Sequence, residues 1–492
     1  MNTLSGLFLL AADRYASRTA VIEDGKSVTY GELAHMAAIF ASFLSSRNVK
    51  KGDRVAIFLP NSIELIVALF GTALSGAVSV PINNSFKEEE VGFFLEHSGA
   101  VLLATSDELE YAAGKSISGS GVDVALIKGV SASLNFTGDY SVEYPASNVG
   151  PEDEAIYLYS TGSTGVPKRV ARTHYNLAAL ANNHTETVGW THKDRVLFAV
   201  PISHTYGFGN FISAVKAGSV VVVCGDFNRN RVLDLLERES ITVFPAVPVI
   251  LDVLSKTYLS DPKDLSSLKL VISAGAPLEE RTFHNFHEKF SIYPRQLYGT
   301  TETGVISINL CGEDEIRDRF NSVGRPVNNV VVKIYDEDGI ETGYGETGEI
   351  AVRSPSMTTG YYGLPEETAK VFRSGYYLTG DLGRVDESGY IYITGRRKFL
   401  INVGGFKVDP TEVENLLSRH PDIIETAVLG VKDGTGNERV KAVIVSACPM
   451  ETREVLEFCR GRIAQYKIPQ VIEFRRELPR SPTGKILREQ LK

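Results

Sequence analysis

Four cysteines, four methionines and one tryptophan in 492 residues are the scarcest features of this chain. Cys224, Cys311, Cys448 and Cys459 are scattered, without C-x-x-C or ligand-like spacing, which excludes a disulfide framework and a zinc module. Buried or free thiols in a reducing, cytoplasmic setting are expected. A basic excess is also missing. Lys and Arg number 51 against 60 Asp and Glu, and the net charge of −9 is the wrong field for a nucleic-acid or anionic-membrane partner. An anionic small substrate, held by local basic groups, stays allowed. There is no Ser-His-Asp arrangement, no H-E-x-x-H and no carboxylate pair at interpretable spacing. Residues 7–12 are apolar but short and lack a basic flank, so they fit an amphipathic first helix better than a signal peptide. Residues 65–82 carry no charge, yet Gly71, Ser75, Gly76, Ser79 and Pro81 interrupt them. A buried helix breaking into a strand is expected there, not a transmembrane segment.

What is present suits two or three domains. A strand pair turns at Asp24-Gly25 within 18–30, and an amphipathic helix follows over 30–45. A strand at 54–59 ends in Pro60-Asn61-Ser62, a turn and helix cap. Strands near 78–81, 101–104, 126–127, 195–200, 219–224 and 270–273 alternate with helical stretches, the rhythm of parallel βαβ units. After about residue 320 the pattern changes to short strands, 331–335, 348–352, 383–386 and 390–393, joined by Gly- and Asp-rich turns. That suggests antiparallel sheet or a small barrel. Beyond Gly395 a small α+β unit is expected, with a helix over 409–418, strands over 426–431 and 440–446, and a helix near 453–463. The chain thus reads as α/β and multidomain, with residues 1–395 in a large part and 396–492 in a small one.

The stretch most suggestive of chemistry is 159–168, Y-S-T-G-S-T-G-V-P-K. Gly162 and Gly165 free the backbone to turn N–H groups around an anion, Thr161, Ser163 and Thr164 add hydroxyls, and Lys168 adds a positive charge. A surface hairpin is the plain alternative. Tyr298-Gly299-Thr300-Thr301-Glu302 puts a carboxylate in a turn where it can hold magnesium beside phosphates, or cap a helix. Gly275-Ala276-Pro277 is a small-residue turn against which a flat ring can lie. Asp381, in a turn 380–383, can accept from ribose hydroxyls or close an Asx-turn. Arg396-Arg397-Lys398 is a basic run at the inferred boundary. His204 follows a strand, at the place where α/β sheets put ligands. Lys485 ends the basic tail segment P-R-S-P-T-G-K.

Taken in order, these pieces resemble the adenylate-forming superfamily of acyl- and aryl-CoA synthetases, luciferase-like enzymes and adenylation domains. The matching elements are T-Y-G-E-L at 29–33, Y-S-T-G-S-T-G-V-P-K, S-A-G-A-P at 273–277, Y-G-T-T-E, L-T-G-D-L-G at 378–383, T-G-R-R-K-F-L-I-N-V-G-G-F-K-V-D-P-T-E-V-E at 394–414 and P-R-S-P-T-G-K at 479–485. The resemblance implies two βαβ-type subdomains and a β-barrel, followed by a mobile C-terminal lid. It implies ATP, Mg²⁺ and coenzyme A. Thr161, Ser163, Thr164 and Lys168 would hold the pyrophosphate end, and Thr301 and Glu302 would meet the α-phosphate and Mg²⁺. Gly275, Ala276, Pro277, Tyr298, Gly299 and Thr300 would line the nucleotide, with Asp381 and Arg396 on the ribose. Lys485 would bridge the carboxylate and α-phosphate, Lys398 would be the hinge, and Gly404, Gly405, Phe406 and Lys407 would line the pantetheine tunnel. Three positions depart from the family's usual pattern: Arg169, where touching phosphate and pointing to solvent are both open, Phe399 and Asn402.

His204-Thr205-Tyr206 stands where amino-acid-activating members carry an aspartate, and an unpaired buried ammonium is costly. P-x-x-H resembles the CoA ligases, whose histidine abuts the substrate tunnel. The expectation is therefore an acid–CoA ligase acting on a fatty or aromatic acid. A carrier-protein phosphopantetheine is the alternative acceptor, and a non-catalytic acyl or nucleotide sensor is the reading from another class. Lys485 is also a candidate for acetylation by a lysine acetyltransferase, which would remove its charge.

Overall fold

The computed structural model describes residues 2–114, 117, 121–127, 149–160, 167–259, 261–403, 406–432, 438–480 and 486–492. Thr161, Ser163, Thr164, Gly404, Gly405 and Lys485 lie outside them, and of Lys398 and Lys407 only the backbone is described.

Alternation of apolar strands and capped helices builds two large sheets. One has six strands, in the order Asp123–Leu126, Ala100–Thr105, Arg54–Phe58, Val78–Ile82, Glu154–Ser160 and Lys168–Thr173, parallel except for the last. The other has nine: Arg325–Pro326, Gly304–Ile308, Pro294–Thr300, Leu270–Ser273, Val243–Ala246, Arg195–Phe198, Val220–Val223, Thr19–Glu23 and Lys26–Thr29. Its six middle strands are parallel and its ends antiparallel. The charge-free stretch becomes the helix Ile63–Ser75, capped by Ser62 and ended at Gly76, and then the strand Val78–Ile82. Eleven of that helix's thirteen residues are buried. Phe70 stacks on Phe8 at 3.9 Å between ring centroids and meets Phe211, so helices from different parts of the chain share one core. Each such aromatic or branched side chain contributes about 1.5–3 kcal/mol by leaving water. Among the described residues no helix is long and apolar enough to cross a membrane.

The later strands form a five-stranded antiparallel half-barrel from Val331–Tyr335, Gly348–Arg353, Tyr376–Val385, Phe372–Arg373 and Ile391–Arg396. The turn expected at 380–383 is instead the middle of the ten-residue strand Tyr376–Val385. Gly380 (φ +73°) and a bulge at Leu382/Gly383 absorb the irregularity that the glycines announce. The last unit contains the hairpin Ile401–Val403/Phe406–Val408, the helix Pro410–Leu417 capped by Asp409, and a sheet of Ile423–Lys432, Glu438–Ser446 and Val471–Phe474. Its helix Thr452–Cys459 is shorter than expected, and the parallel strand Val471–Phe474 has no counterpart in the pattern reading.

Candidate active site

The four parallel strands Arg195–Phe198, Val243–Ala246, Leu270–Ser273 and Pro294–Thr300 end on one edge of the nine-stranded sheet. Three candidate groups follow from that edge. His204 caps the helix Thr205–Ala217 and its Nδ1 accepts from the Tyr206 amide at 3.4 Å. Tyr206 is turned inward, its hydroxyl donating to the Ile272 carbonyl at 3.0 Å. Gly275-Ala276-Pro277 lies exposed just past Ser273, with Gly275 at φ +89°, a conformation that favours glycine.

Tyr298, Gly299 and Thr300 are not in a turn but finish the strand Pro294–Thr300, which folds back through 301–303 into Gly304–Ile308. Helix capping is thereby excluded for Glu302. A Cβ on Gly299 would sit 2.4 Å from the Gly304 carbonyl oxygen, so this tight hairpin needs glycine. Thr300 and Thr303 share a hydroxyl contact at 2.9 Å across it.

Glu302 is buried, with Oε1 accepting from the Tyr361 hydroxyl at 2.8 Å and its carbonyl from the Thr358 amide at 2.8 Å. Behind the turn lies Arg172, fully buried, whose Nη1 donates to the Thr301 carbonyl at 3.1 Å. Burial pulls this guanidinium down to about 10, against the pull of Glu302. Burial, then Glu302, pushes the Tyr361 phenol well up, so it remains a proton donor.

Across the edge, Asp381 links the half-barrel to the sheet. It is buried, Oδ2 accepting from Tyr298 Oη at 2.6 Å and Oδ1 from Arg396 Nε, its register partner on Ile391–Arg396. Burial and Asp381 together push the Tyr298 hydroxyl far above its usual range. The next residue, Arg397, pairs with Glu349 at 2.8 Å, and Glu349 also accepts from the Gly380 amide at 3.1 Å. The basic run is thus partly structural: Arg396 completes a strand and Arg397 is tied down.

The stretch 159–168 bridges the antiparallel strands Glu154–Ser160 and Lys168–Thr173, with Ser160 opposite Lys168. Lys168 is no loose charge. Its Nζ lies 2.8 Å from Glu367 and 4.7 Å from the Tyr361 ring centroid. Arg169, one residue on and so facing the other way, neither points to solvent nor shares the Lys168 side. Its guanidinium stacks 3.5 Å from the Tyr362 ring centroid and donates to the carbonyls of His97 and Ser98. Arg488 lies over Phe399 at 5.3 Å, and the backbone N–H of Asn402 donates to Glu438 at 2.6 Å.

Tyr361, Arg172 and Glu367 escaped the sequence reading. Tyr361 in G-Y-Y-G carries a weak signal, an aromatic pair between glycines. Arg172 carries none, because a buried arginine is written like an exposed one.

The residues 8–362 match the model of the AMP-binding enzyme family, and residues 412–485 match that of the AMP-binding enzyme C-terminal domain. The chain belongs to the AMP-binding enzyme family. More particularly, it is 31% identical over 469 residues to a long-chain-fatty-acid–CoA ligase of Mycobacterium tuberculosis, covering 94% of this chain and 92% of the relative. Identity to a long-chain-fatty-acid–CoA ligase of Bacillus subtilis is also 31%, over 100% of this chain and 94% of the other. Among solved structures, ATP-bound MatB from Rhodopseudomonas palustris superposes with a TM-score of 0.91 at 29% identity, covering 100% and 98% of the two chains. The amide bond synthetase McbA from Marinactinospora thermotolerans has a TM-score of 0.89 at 27% identity, covering 99% of each.

Proposed function

We propose that this chain is an ATP-dependent carboxylic acid–CoA ligase that activates a fatty or aromatic acid as its acyl-AMP and transfers the acyl group to coenzyme A. It is an AMP-forming acid–thiol ligase. The observation that carries the reading is the convergence of Tyr298, Glu302, Asp381 and Arg396, from two sheets, on one edge beside Gly275-Ala276-Pro277.

In the first half-reaction a carboxylate oxygen attacks the α-phosphorus, the bond from that phosphorus to the bridging oxygen breaks, and pyrophosphate leaves. A carboxylic acid with a pKa of about 4 is already ionised, so no general base is required. The protein's contribution is positioning and charge neutralisation. Asp381 and Arg396 would hold the ribose hydroxyls, with Tyr298 fixing the carboxylate from behind. Gly275, Ala276, Pro277, Gly299 and Thr300 would flank the base and sugar. Thr161, Ser163, Thr164 and Lys168 would grip the pyrophosphate, and Thr301 and Lys485 the α-phosphate. The Glu302 carboxylate fits a magnesium site: it is a hard oxygen donor whose second oxygen has no hydrogen-bond partner among the described residues. A magnesium ion held there would neutralise phosphate charge.

In the second half a thiol attacks the acyl carbon, AMP leaves, and the thiol proton passes to solvent. His204 would stand beside the acid, and residues 404–407 beside the thiol arm. The division at 395/396, with Lys398 as hinge, would separate the part that binds most of the nucleotide from the part that carries Lys485, with Arg396 at the seam as the last residue of the half-barrel strand Ile391–Arg396. No carboxylate occurs within 201–208 to pair an ammonium, which argues against α-amino acids.

Fold alone does not choose the acceptor, since McbA is an amide bond synthetase. The test is AMP release from ATP over a panel of fatty and aromatic acids, with free CoA, a holo-carrier protein or an amine as acceptor. Acid-dependent AMP release stimulated by CoA, with acyl-CoA as product, is expected. Stimulation by the carrier protein or amine alone would reassign the acceptor. Absence of acid-dependent ATP–pyrophosphate exchange across the panel would leave a sensor as the better reading.

A further inference from the structure

The cation at the pyrophosphate end already has a counter-ion. Lys168 Nζ is 2.8 Å from Glu367 Oε2, and its side chain is only 14% exposed. Glu367 comes from the helix Pro365–Val371, 199 residues further along the chain. Its other oxygen takes Lys370 Nζ at 2.5 Å. The Lys168 ammonium also lies against the ring of Tyr361, whose hydroxyl is committed to Glu302. The carboxylate, the ring and the strand therefore hold one ammonium in place.

An ammonium has three protons to give, but its charge is compensated only once. A polyphosphate approaching Lys168 meets a lysine neutralised by Glu367 and a carboxylate of its own sign beside it. We propose that Glu367 is a positioning residue, acting through Lys168, that competes with the polyphosphate for the lysine and thereby weakens the hold on ATP and on departing pyrophosphate. The inference rests on the assignment of Lys168 to the pyrophosphate end. The two lysines hold the Glu367 carboxyl down, to about 2, so it stays ionised and competing throughout the neutral range. Lys370 has the opposite effect to Glu367, because it draws part of that carboxylate away from Lys168.

The test uses the full-length protein in ATP–pyrophosphate exchange, reading the KM for ATP and the inhibition constant of added inorganic pyrophosphate. Glu367→Gln should lower both by about two- to five-fold, the size expected for a partly exposed pair, and the difference should shrink as salt is raised. Lys370→Met should move both the other way. The double variant should resemble Glu367→Gln, which excludes a freed Lys370 as the cause. Lys168→Met should raise both constants. Lys168→Met weakened while Glu367→Gln binds as wild type, or more weakly, would overturn the inference alone. Lys168→Met binding as wild type would instead overturn the assignment of Lys168, and the inference with it. A merely structural role for Glu367 would not produce tighter binding.

Discussion

At the candidate site, the polar groups are arranged in chains along the edge where the parallel strands end. Tyr298 holds Asp381, Asp381 holds Arg396, Tyr361 holds Glu302, and Arg172 holds the carbonyl behind it. In the unit from Ile401 onward, several buried polar contacts among the described residues close on the unit itself. Glu414 takes Arg488 at 2.6 Å and the Val428 amide at 2.6 Å, while Lys441 reaches the Leu491 carbonyl at 2.8 Å. Ile401, Val408, Leu417 and Val440 give it a core of its own. The first region gathers its fixed polar groups at one edge; the second uses them to remain one body. Substitutions in the two should therefore fail differently, one through the nucleotide and the other through the half-reaction served.

The largest expected effect separates the halves outright. Proline at position 398 fixes φ in a residue expected to act as a hinge. Lys398→Pro should keep ATP–pyrophosphate exchange and abolish acyl-CoA formation, read by comparing exchange with thioester production. Equal loss of both would erase the contrast between the regions.

Next in size, Asp381→Ala removes the acceptor of two hydrogen bonds and strands the buried Tyr298 hydroxyl. It also removes the expected ribose contact, and with a hydrogen bond to a charged group worth about 1.5–3 kcal/mol the KM for ATP should rise about ten- to a hundred-fold. A KM within about three-fold of wild type would remove Asp381 from the nucleotide side.

These contacts also mark how far the sequence could be read. The parallel sheets were legible because apolar strands, caps such as Ser62 and stops such as Gly76 all agree locally. The candidate residues were legible as a set through their order along the chain. Their local settings were not. Asp381 looked like a turn residue because glycines stand at 380 and 383, yet a bulge lets the strand run through them. Glu302 looked like a cap because only pairing with Gly304–Ile308 shows the hairpin. Lys168 looked free because its counter-ion lies 199 residues away, and no local periodicity announces an ion pair.

The smallest effect concerns the second region alone. Burial pushes Glu414 up from its ordinary value of 4.5 to about 7, opposed by Arg488. An acid raised on folding binds its proton more tightly in the folded state. Its contribution to stability is therefore present at low pH and declines as pH rises from about 4.5 toward about 7. Glu414→Gln should flatten that decline, measured by chemical denaturation of the full chain. The same pH slope in wild type and variant would show that Glu414 does not titrate there.

Lys485 carries the division of labour most directly, because its charge is expected to serve the first half-reaction only. The decisive measurement is Lys485→Ala assayed in both halves: exchange of pyrophosphate into ATP, and CoA thioester formation from chemically supplied acyl-AMP. Removing a group that stabilises transition-state charge costs about 10²–10³ in rate. Exchange should fall at least that far, while the supplied acyl-AMP is converted at close to the wild-type rate. Exchange near wild type, or an equal fall in both, would contradict the separation of the two regions.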